Sequence, residues 1–388
     1  MVARRIFWLA LLLGLAFTAL SLPAGAVSDP LGGAGTGIES EYREFVDSIP
    51  DDVAPNLPEA LFPEGESTDF ERVAEGVAEM SGFSYLLGAV GDVLSVEWGT
   101  AWRVLAQTVG LLLISAVAAA LRHTVRSDAL ARMISLGACC AVFVAVLNTL
   151  YGQLQKVSEF LTRLNTLVNS LLPLMTALHV MGGNVAVAAV QNSGLLLFLS
   201  VCENVCNRTV IPMTGICLSL AVTSVSSPGL SLKGLTGLIK SSYTKTLGFV
   251  MLLLSFVLSV QTALRAAADS LTARAAKFLA GNLIPVVGGA LGDTFRTVAS
   301  GVAFLKSTVG VGAMIVLFLM LLPVLISLLL TRLSFRLSLA VAELLGCDAE
   351  GRLLNELVGI YGTLIAVVSM CTVLLIFALT LFVRVSAA

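Results

Sequence analysis

Residues 309–330 read VGVGAMIVLFLMLLPVLISLLL, a run of 22 residues without a charged side chain. An α-helix needs about 20 mainly apolar residues to cross the roughly 30 Å hydrocarbon core of a bilayer. The run therefore predicts a membrane-spanning helix. The composition of the whole chain agrees, because 57% of its 388 residues are hydrophobic, 12% are charged and the mean hydropathy is +0.95. A soluble domain carries about 25% charged residues, which argues against a soluble globular enzyme.

Six more uncharged stretches beyond Arg103 are about long enough to span a membrane. They are 104–121, 133–151, 185–202, 209–225, 246–264 and 358–383. We therefore predict an all-α, polytopic membrane protein with about seven transmembrane helices, within a range of six to eight. The basic residues divide almost evenly between the two sides of this arrangement, so the positive-inside rule does not fix the orientation and suggests one uncounted membrane segment.

The N-terminus has the pattern of a secretory signal. Arg4 and Arg5 precede an apolar run at 6–22, and Ala24, Gly25 and Ala26 then supply the small residues that signal peptidase accepts. We predict a cleaved signal peptide over residues 1–26. The alternative is an uncleaved first membrane helix, for which the run is near the lower length limit.

Charge separates two further regions. Residues 27–102 hold 16 Asp and Glu against two Arg, whereas residues 103–388 hold 19 Lys and Arg against nine acids. We expect the first region to be an extracytoplasmic segment and the second to be a helical membrane domain. The acidic segment and the scattered basic residues offer no phosphate-binding patch, so we expect no nucleic-acid partner.

The acidic segment changes character along its length. Its prolines and glycines predict a first half that is linker-like and partly disordered. From Thr68 the pattern becomes helical, since Thr68 and Glu71 fit a capping box and Val73, Val77 and Met80 recur at helical spacing. The segment is cysteine-free and its core is small, so we expect it to depend on partners or on the membrane domain.

An apolar stripe precedes the predicted third span. It keeps the a and d spacing of a heptad repeat for about two and a half heptads. We interpret it as an interfacial helix or a packed helix rather than a true coiled coil. The stripe consists of Leu154, Val157, Leu161, Leu164, Val168 and Leu171.

Two apolar segments of the membrane domain look discontinuous. Residues 164–181 contain Pro173 and run into two glycines, and residues 278–305 are interrupted by proline, glycine and charged residues. An open backbone is tolerated in hydrocarbon only where it is buried in protein or lines a wet cavity. We therefore predict one or two broken or re-entrant segments that line a pathway. Helix kinks or surface loops are the alternative interpretation.

Polar residues and helix breakers around these two segments are the candidate site. Polar side chains in a membrane usually face the bundle interior, either along a pathway or as interhelical hydrogen-bond partners. The candidates are Asn184, Gln191, Asn192, Pro285, Gly288, Gly289, Asp293 and Lys306.

Motifs for catalysis, metals and nucleotides are missing from the sequence. His123 and His179 do not form an H-E-x-x-H pattern. The sequence contains no Walker-type nucleotide-binding loop and no G-x-G-x-x-G motif at the start of a helix. We interpret His179 as a hydrogen-bonded packing residue, with a proton relay as the alternative. The cysteines lack a histidine or acidic cluster and are interpreted as packing residues. We therefore expect neither an enzyme nor a cofactor, although an intramembrane protease remains a third option.

The second half of the chain resembles the stage III sporulation protein AE family of endospore-forming bacteria. The resemblance is carried by residues 275–313, above all KFLAGNLIPVVGG at 277–289 and LKSTVG at 305–310. It implies a polytopic subunit on the mother-cell side of a channel that spans the two membranes around the forespore. The implied partners are an ATPase that resembles secretion motors, ring-forming proteins, small membrane subunits and membrane lipid. The family has no established catalytic residues, so the resemblance transfers no site.

Two hypotheses of function follow. In the first, the chain is a non-enzymatic membrane subunit of a sporulation channel, located in the mother-cell membrane with its acidic segment docking to partners between the membranes. In the second, it is a secondary transporter whose broken helices bind a small solute near the midplane. The two differ in their dependence on partner proteins.

Overall fold

The computed structural model describes residues 35–63, 69–121, 128–181, 194, 196–197, 200–201, 209–226, 233–283 and 288–384. Within these residues the regular structure is entirely helical, which confirms the predicted all-α fold. Two short 3-10 turns lie at Ala54–Asn56 and Glu59–Leu61. The α-helices are α1 Gly35–Asp47, α2 Phe70–Met80, α3 Phe83–Leu121, α4 Asp128–Met181, α5 Ile211–Ser226, α6 Lys233–Leu283, α7 Gly288–Leu344 and α8 Asp348–Arg384.

Five of the described helices are long and apolar enough to cross a membrane: α3, α4, α6, α7 and α8. They contain five of the seven stretches that the sequence predicts as spans. The stretch 209–225 falls on α5, which has 16 residues. Most of the stretch 185–202 lies outside the described residues. The chain is therefore a multi-pass membrane protein.

Helix α7 forms the centre of the bundle. It packs against α3, α4 and α8, and α2 of the acidic segment also contacts it. The most apolar part of α7 is 78% buried inside the protein, against 17% for the corresponding parts of α3 and α6. The stretch 309–330 is thus surrounded mainly by other helices, whereas α3 and α6 present their apolar side chains outward.

A tight turn joins α7 to α8 and makes the two helices antiparallel. Gly346 has a φ of 68°, a left-handed conformation that residues with a Cβ rarely adopt. The Cys347 N–H donates to the Ala342 carbonyl at 2.9 Å, and the Gly346 N–H donates to the Glu343 carbonyl at 3.3 Å. These bonds satisfy carbonyls at the end of α7, as in a Schellman motif. We call residues 343–350 the hairpin tip.

Helix α4 is continuous through Pro173. It has 54 residues and is about 81 Å long at 1.5 Å per residue. Proline removes one backbone hydrogen bond and normally bends or breaks a helix. Here Leu171, Leu172, Leu174 and Met175 are all buried, so packing on both sides of the proline holds the helix together. The segment 164–181 is therefore unbroken, and the glycines that follow it lie outside the described residues.

The second segment with a predicted break contains a change of helix. Helix α6 ends at Leu283 and α7 begins at Gly288. Residues 284–287, which include Pro285, lie outside the described residues. The helix boundaries agree with an interruption between 278 and 305, since one helix ends and the next begins inside this segment.

The acidic segment folds onto the membrane domain. Ile38, Tyr42, Phe45 and Val46 of α1 are buried, and α1 packs against α4. Five residues of the predicted apolar stripe are buried in the same hydrophobic core: Val157, Leu161, Leu164, Val168 and Leu171. The stripe is therefore a packing face, as predicted. We call residues 35–63 and 69–80 together the cap.

The first half of the cap is more ordered than its proline and glycine content predicts. Tyr42 holds this half of the cap together. Its hydroxyl donates to the Leu61 carbonyl at 2.8 Å, and its ring packs edge to face on Phe70 with 5.4 Å between the ring centroids. At the N-terminus of α2, the Asp69 carboxylate accepts from the N–H groups of Glu71 and Arg72. Thr68, the predicted capping residue, lies outside the described residues. Val73, Val77 and Met80 are buried as predicted.

Candidate functional site

Most of the residues predicted as the site fall where the structure gives no side chain. Asn184, Gln191, Asn192 and Pro285 lie outside the described residues. Gly288 and Gly289 are the first two residues of α7, and Asp293 lies in its second turn. The side chain of Asp293 is not among those described. The described residues therefore do not bring these candidates together, and their role stays a prediction.

Lys306 is the one predicted site residue whose side chain is described. It lies on α7 and is only 1% exposed. Among the described residues, its ammonium group has no hydrogen-bond partner. Burial of a charge without a partner is costly, so such groups in membrane proteins are commonly functional.

A charged cleft lies where the cap, α3, α4 and α7 meet. Its volume is about 240 Å³. The Lys156 ammonium donates to Glu97 Oε1 at 3.0 Å, and the Arg163 guanidinium donates to Asp52 Oδ1 of the cap at 2.5 Å. The lining residues are Asp52, Val53, Glu97, Lys156, Glu159, Phe160, Arg163, Met320, Pro323 and Val324.

Pro323 lines the charged cleft on the side of α7. It lies inside the helix and has no N–H group to donate to the carbonyl of Leu319. This freed carbonyl is a backbone acceptor in a helix that is otherwise apolar at this level. The cleft therefore combines side-chain charges with a proline inside a central helix that continues through it.

Buried polar residues continue from the cleft into the bundle. The Lys156 ammonium also donates to Ser327 Oγ at 3.0 Å. The Gln153 amide donates to Ser327 Oγ and to Thr331 Oγ1, both at 3.1 Å. One turn further along α7, Ser334 Oγ donates to the Ala101 carbonyl of α3 at 2.9 Å.

Two carboxylates lie buried deeper in the membrane domain. Glu350, at the start of α8, accepts a hydrogen bond from Ser115 Oγ of α3 at 2.5 Å. Glu356, two turns later, accepts from the Lys240 ammonium of α6 at 2.6 Å. Both carboxylates belong to residues that are less than a tenth exposed. Each is held by a partner on another helix, so each joins two helices of the bundle.

The described histidine and cysteines support the packing interpretation. His179 is fully buried and its Nδ1 lies 2.8 Å from the Met175 carbonyl within α4. Cys217, Cys347 and Cys371 are buried, whereas Cys140 is exposed. Within the part of the chain that the structure describes, no group of three or more His, Cys, Asp and Glu could hold a metal ion.

The sequence prediction missed the charged cleft and both buried carboxylates. Glu97 and Lys156 are 59 positions apart, and only the antiparallel packing of α3 on α4 makes them neighbours. One signal is present in the sequence, since Pro323 lies inside the apolar run 309–330 and Ser327, Thr331, Ser334 and Ser338 follow it on one helical face.

Comparison with known proteins gives one family. The family model described as stage III sporulation protein AE matches residues 68–386. The curated stage III sporulation protein AE of Bacillus subtilis (strain 168) is 27% identical over 170 residues, which cover 44% of this chain and 43% of that protein. The chain thus spans less than half the length of the curated relative it matches. No solved structure matches the chain. Because the family model covers most of its length, the chain belongs to the stage III sporulation protein AE family.

Proposed function

We propose that this protein is a non-enzymatic membrane subunit of a multi-protein sporulation channel, in the mother-cell membrane around the forespore, with the cap on its extracytoplasmic side. Membership of a stage III sporulation family supports the sporulation role. We expect its partners to be an ATPase, ring-forming proteins and small membrane subunits. The membrane lipid surrounds the apolar outer faces of α3 and α6.

The observation that carries this proposal is the two-sided structure of the cap. Its apolar side chains are buried against the membrane domain, so docking to the bundle leaves the acidic face outward. On α2, Glu71, Glu75 and Glu79 follow one another at intervals of four and are all exposed. An acidic face held rigidly on a membrane domain can select and orient a partner of opposite charge.

Co-purification tests this role. From sporulating cells, the intact protein should co-purify with the ATPase and ring-forming subunits, and its deletion should stop forespore development. Replacing Glu75 and Glu79 with Lys should reduce the recovered partners at least tenfold. The matched control replaces Glu343 and Asp348, which are exposed at the hairpin tip, and should recover normal amounts. Equal recovery from both double variants would contradict docking through the cap.

The predicted site residues form a second part of the proposal. We propose that the interruption around Pro285, together with Asn184, Gln191, Asn192 and Asp293, lines the pathway of the channel. Pro285→Ala or Gly289→Leu should then impair sporulation while the protein stays in the membrane at its normal level. Wild-type sporulation of both variants would count against a functional interruption. Asp293→Asn without effect would remove that residue from the pathway.

The charged cleft favours the alternative function, a secondary transporter for a small solute. A cleft of about 240 Å³ beside a proline in a central helix has the size for a small polar solute. Purified protein in liposomes should then accumulate a solute under an ion gradient without partner proteins. Failure of transport in liposomes, together with recovery of an ATPase and ring proteins from cells, supports the channel subunit instead.

A further inference from the structure

A file of buried polar side chains runs between α3 and α7. On α7 its residues recur at intervals of four, three and four, so they occupy one face of the helix. Each of them is at most 5% exposed. We call this file the polar seam, and it consists of Ser327, Thr331, Ser334 and Ser338 of α7, Gln153 of α4, and Thr108 and Ser115 of α3.

Contacts at three levels show that the seam follows the two helices. Ser334 donates to the Ala101 carbonyl, Cys347 Sγ lies 3.9 Å from the Leu112 carbonyl, and Ser115 donates to Glu350. Thr108 lies between Ala101 and Leu112 on the same buried face of α3. These contacts place Gln153 near one end of the seam and Ser115 at the other, along the contact between α3 and α7.

Each end of the seam carries an acidic side chain. At the first end, Lys156 bridges Glu97 in the charged cleft to Ser327. At the other end, Ser115 holds Glu350 at the hairpin tip. From Glu97 to Ser115, α3 advances 18 residues, or about 27 Å, which is close to the thickness of the hydrocarbon core. Most of this distance lies beside the uncharged stretch 104–121.

Two deeply buried atoms of the seam have no hydrogen-bond partner among the described residues: Gln153 Oε1 and Ser338 Oγ. An unsatisfied buried polar atom costs about 1 to 3 kcal/mol. Interhelical hydrogen bonding alone would have paired these atoms. Buried water is the usual partner of such groups and can bond two to four of them at once. Hydroxyls one turn apart on a helix are also too far apart to bond directly, so water would connect them.

We propose that the polar seam holds a file of water and conducts protons between the charged cleft and Glu350. A proton enters the file when the Lys156 ammonium, which is paired with Glu97, gives one of its N–H protons to Ser327 Oγ, and the neutral amine then takes up a proton from water in the charged cleft. Each hydroxyl or water in the file then accepts a proton on one lone pair and passes on the one it carried. Glu350 takes up the last proton and releases one at the hairpin tip. One proton moves in total: one N–H bond breaks and re-forms at Lys156, and at each later step one O–H bond forms as another breaks.

Proton conduction along the seam is independent of the channel role proposed above, because it needs no partner protein. It assigns separate tasks to the two buried carboxylates of α8. Glu350 exchanges protons at the end of the seam, whereas Glu356 is neutralised by Lys240.

Proton flux into liposomes tests the proposal. Full-length protein is reconstituted with a trapped pH-sensitive dye, and a potassium diffusion potential drives protons inward. The wild type should acidify the vesicles faster than protein-free vesicles do. Glu350→Gln keeps the acceptor for Ser115 but cannot exchange a proton, so it should lower the flux at least tenfold. Glu343→Gln, an exposed carboxylate on the same tip, is the matched control and should conduct like the wild type.

Cysteine accessibility gives an independent measurement that does not depend on Glu350. In a background without native cysteines, a small hydrophilic thiol reagent should modify Ser338→Cys at least ten times faster than Val368→Cys. Both positions are fully buried, but Val368 lies on α8 in the apolar core and is not part of the seam. Equal modification rates would overturn the proposal. A wild-type flux no greater than that of empty vesicles, or an unchanged flux in Glu350→Gln, would overturn it as well.

Discussion

Lys240 on α6 and Glu356 on α8 form a buried ion pair between two helices of the membrane domain. The ammonium lies 2.6 Å from Glu356 Oε2 and 3.1 Å from the main-chain carbonyl of the same residue. Both side chains are at most 12% exposed. A Cβ at Gly359 would come within 2.7 Å of the Lys240 nitrogen, so the glycine makes room for the pair. The charged groups thus pair with each other where little of either side chain is exposed.

Loss of one partner of this pair should be more costly than loss of both. Lys240→Met leaves a buried carboxylate without its cation, and we expect it to lower the free energy of unfolding by about 3 to 5 kcal/mol. The double variant Lys240→Met with Glu356→Leu should recover much of that loss. Thermal unfolding in detergent measures both. A double variant that loses as much as the sum of the two single variants would show that the pair contributes no coupling energy.

Docking of the cap should depend on the lack of a side chain at Gly312. A Cβ at this position of α7 would lie 3.2 Å from Val77 Cγ2 of α2. Gly312→Leu should therefore push α2 away from the bundle and make the cap sensitive to limited proteolysis. Gly215→Leu, on α5 with open space around it, is the control and should leave the cap protected. Equal protection in both variants would contradict the close packing of α2 on α7.

Tyr42 should make the cap sensitive to alkaline pH. Burial raises the pKa of Tyr42 above its ordinary value of 10.0. The folded cap therefore holds this proton more tightly than the unfolded chain, so the stabilisation is complete below pH 10 and decreases as the pH rises further. Hydrogen exchange of the cap between pH 8 and 11 measures the effect.

Tyr42→Phe is the variant that isolates this effect. It removes the titrating group and leaves the Leu61 carbonyl without its donor, so the cap should lose about 1 to 2 kcal/mol at neutral pH. The further loss of cap stability as the pH rises above 10 should then be smaller than in the wild type. An identical alkaline profile in both proteins would assign the pH dependence to other groups.

How far the sequence predicts this molecule differs between its parts. Long uncharged runs predicted the helical membrane domain, because the requirement for internal backbone hydrogen bonds in lipid leaves few alternatives. Local pattern also predicted the buried stripe around Leu164, since heptad spacing places these residues on one helical face. Composition misled at α1, where Pro and Gly in the flanking residues obscured the helical spacing of Ile38, Tyr42 and Phe45.

The functional features were harder to predict because they depend on long-range packing. The Ser115 and Glu350 side chains are 235 positions apart, and their contact requires that the hairpin tip pack beside the C-terminal part of α3. Neither residue forms a recognisable motif with its neighbours in sequence. At Pro173 the sequence predicts a break that the helix does not have. Proline usually breaks helices, but this one is accommodated because both flanking turns are well packed.

The two buried lysines with described side chains allow one substitution to be compared in opposite environments. Lys306 is 1% exposed and its ammonium has no hydrogen-bond partner among the described residues, whereas Lys240 is paired with Glu356. Removal of an unpaired buried charge relieves its desolvation cost, while removal of a paired one creates such a cost. Lys306→Met should therefore raise the free energy of unfolding by about 1 to 4 kcal/mol, the opposite sign from Lys240→Met. If Lys306 belongs to the pathway proposed above, the stabilised variant should also sporulate less efficiently than the wild type. Thermal unfolding in detergent and spore counts measure the two effects, and a destabilised Lys306→Met protein would show that the ammonium has a stabilising partner in the folded chain.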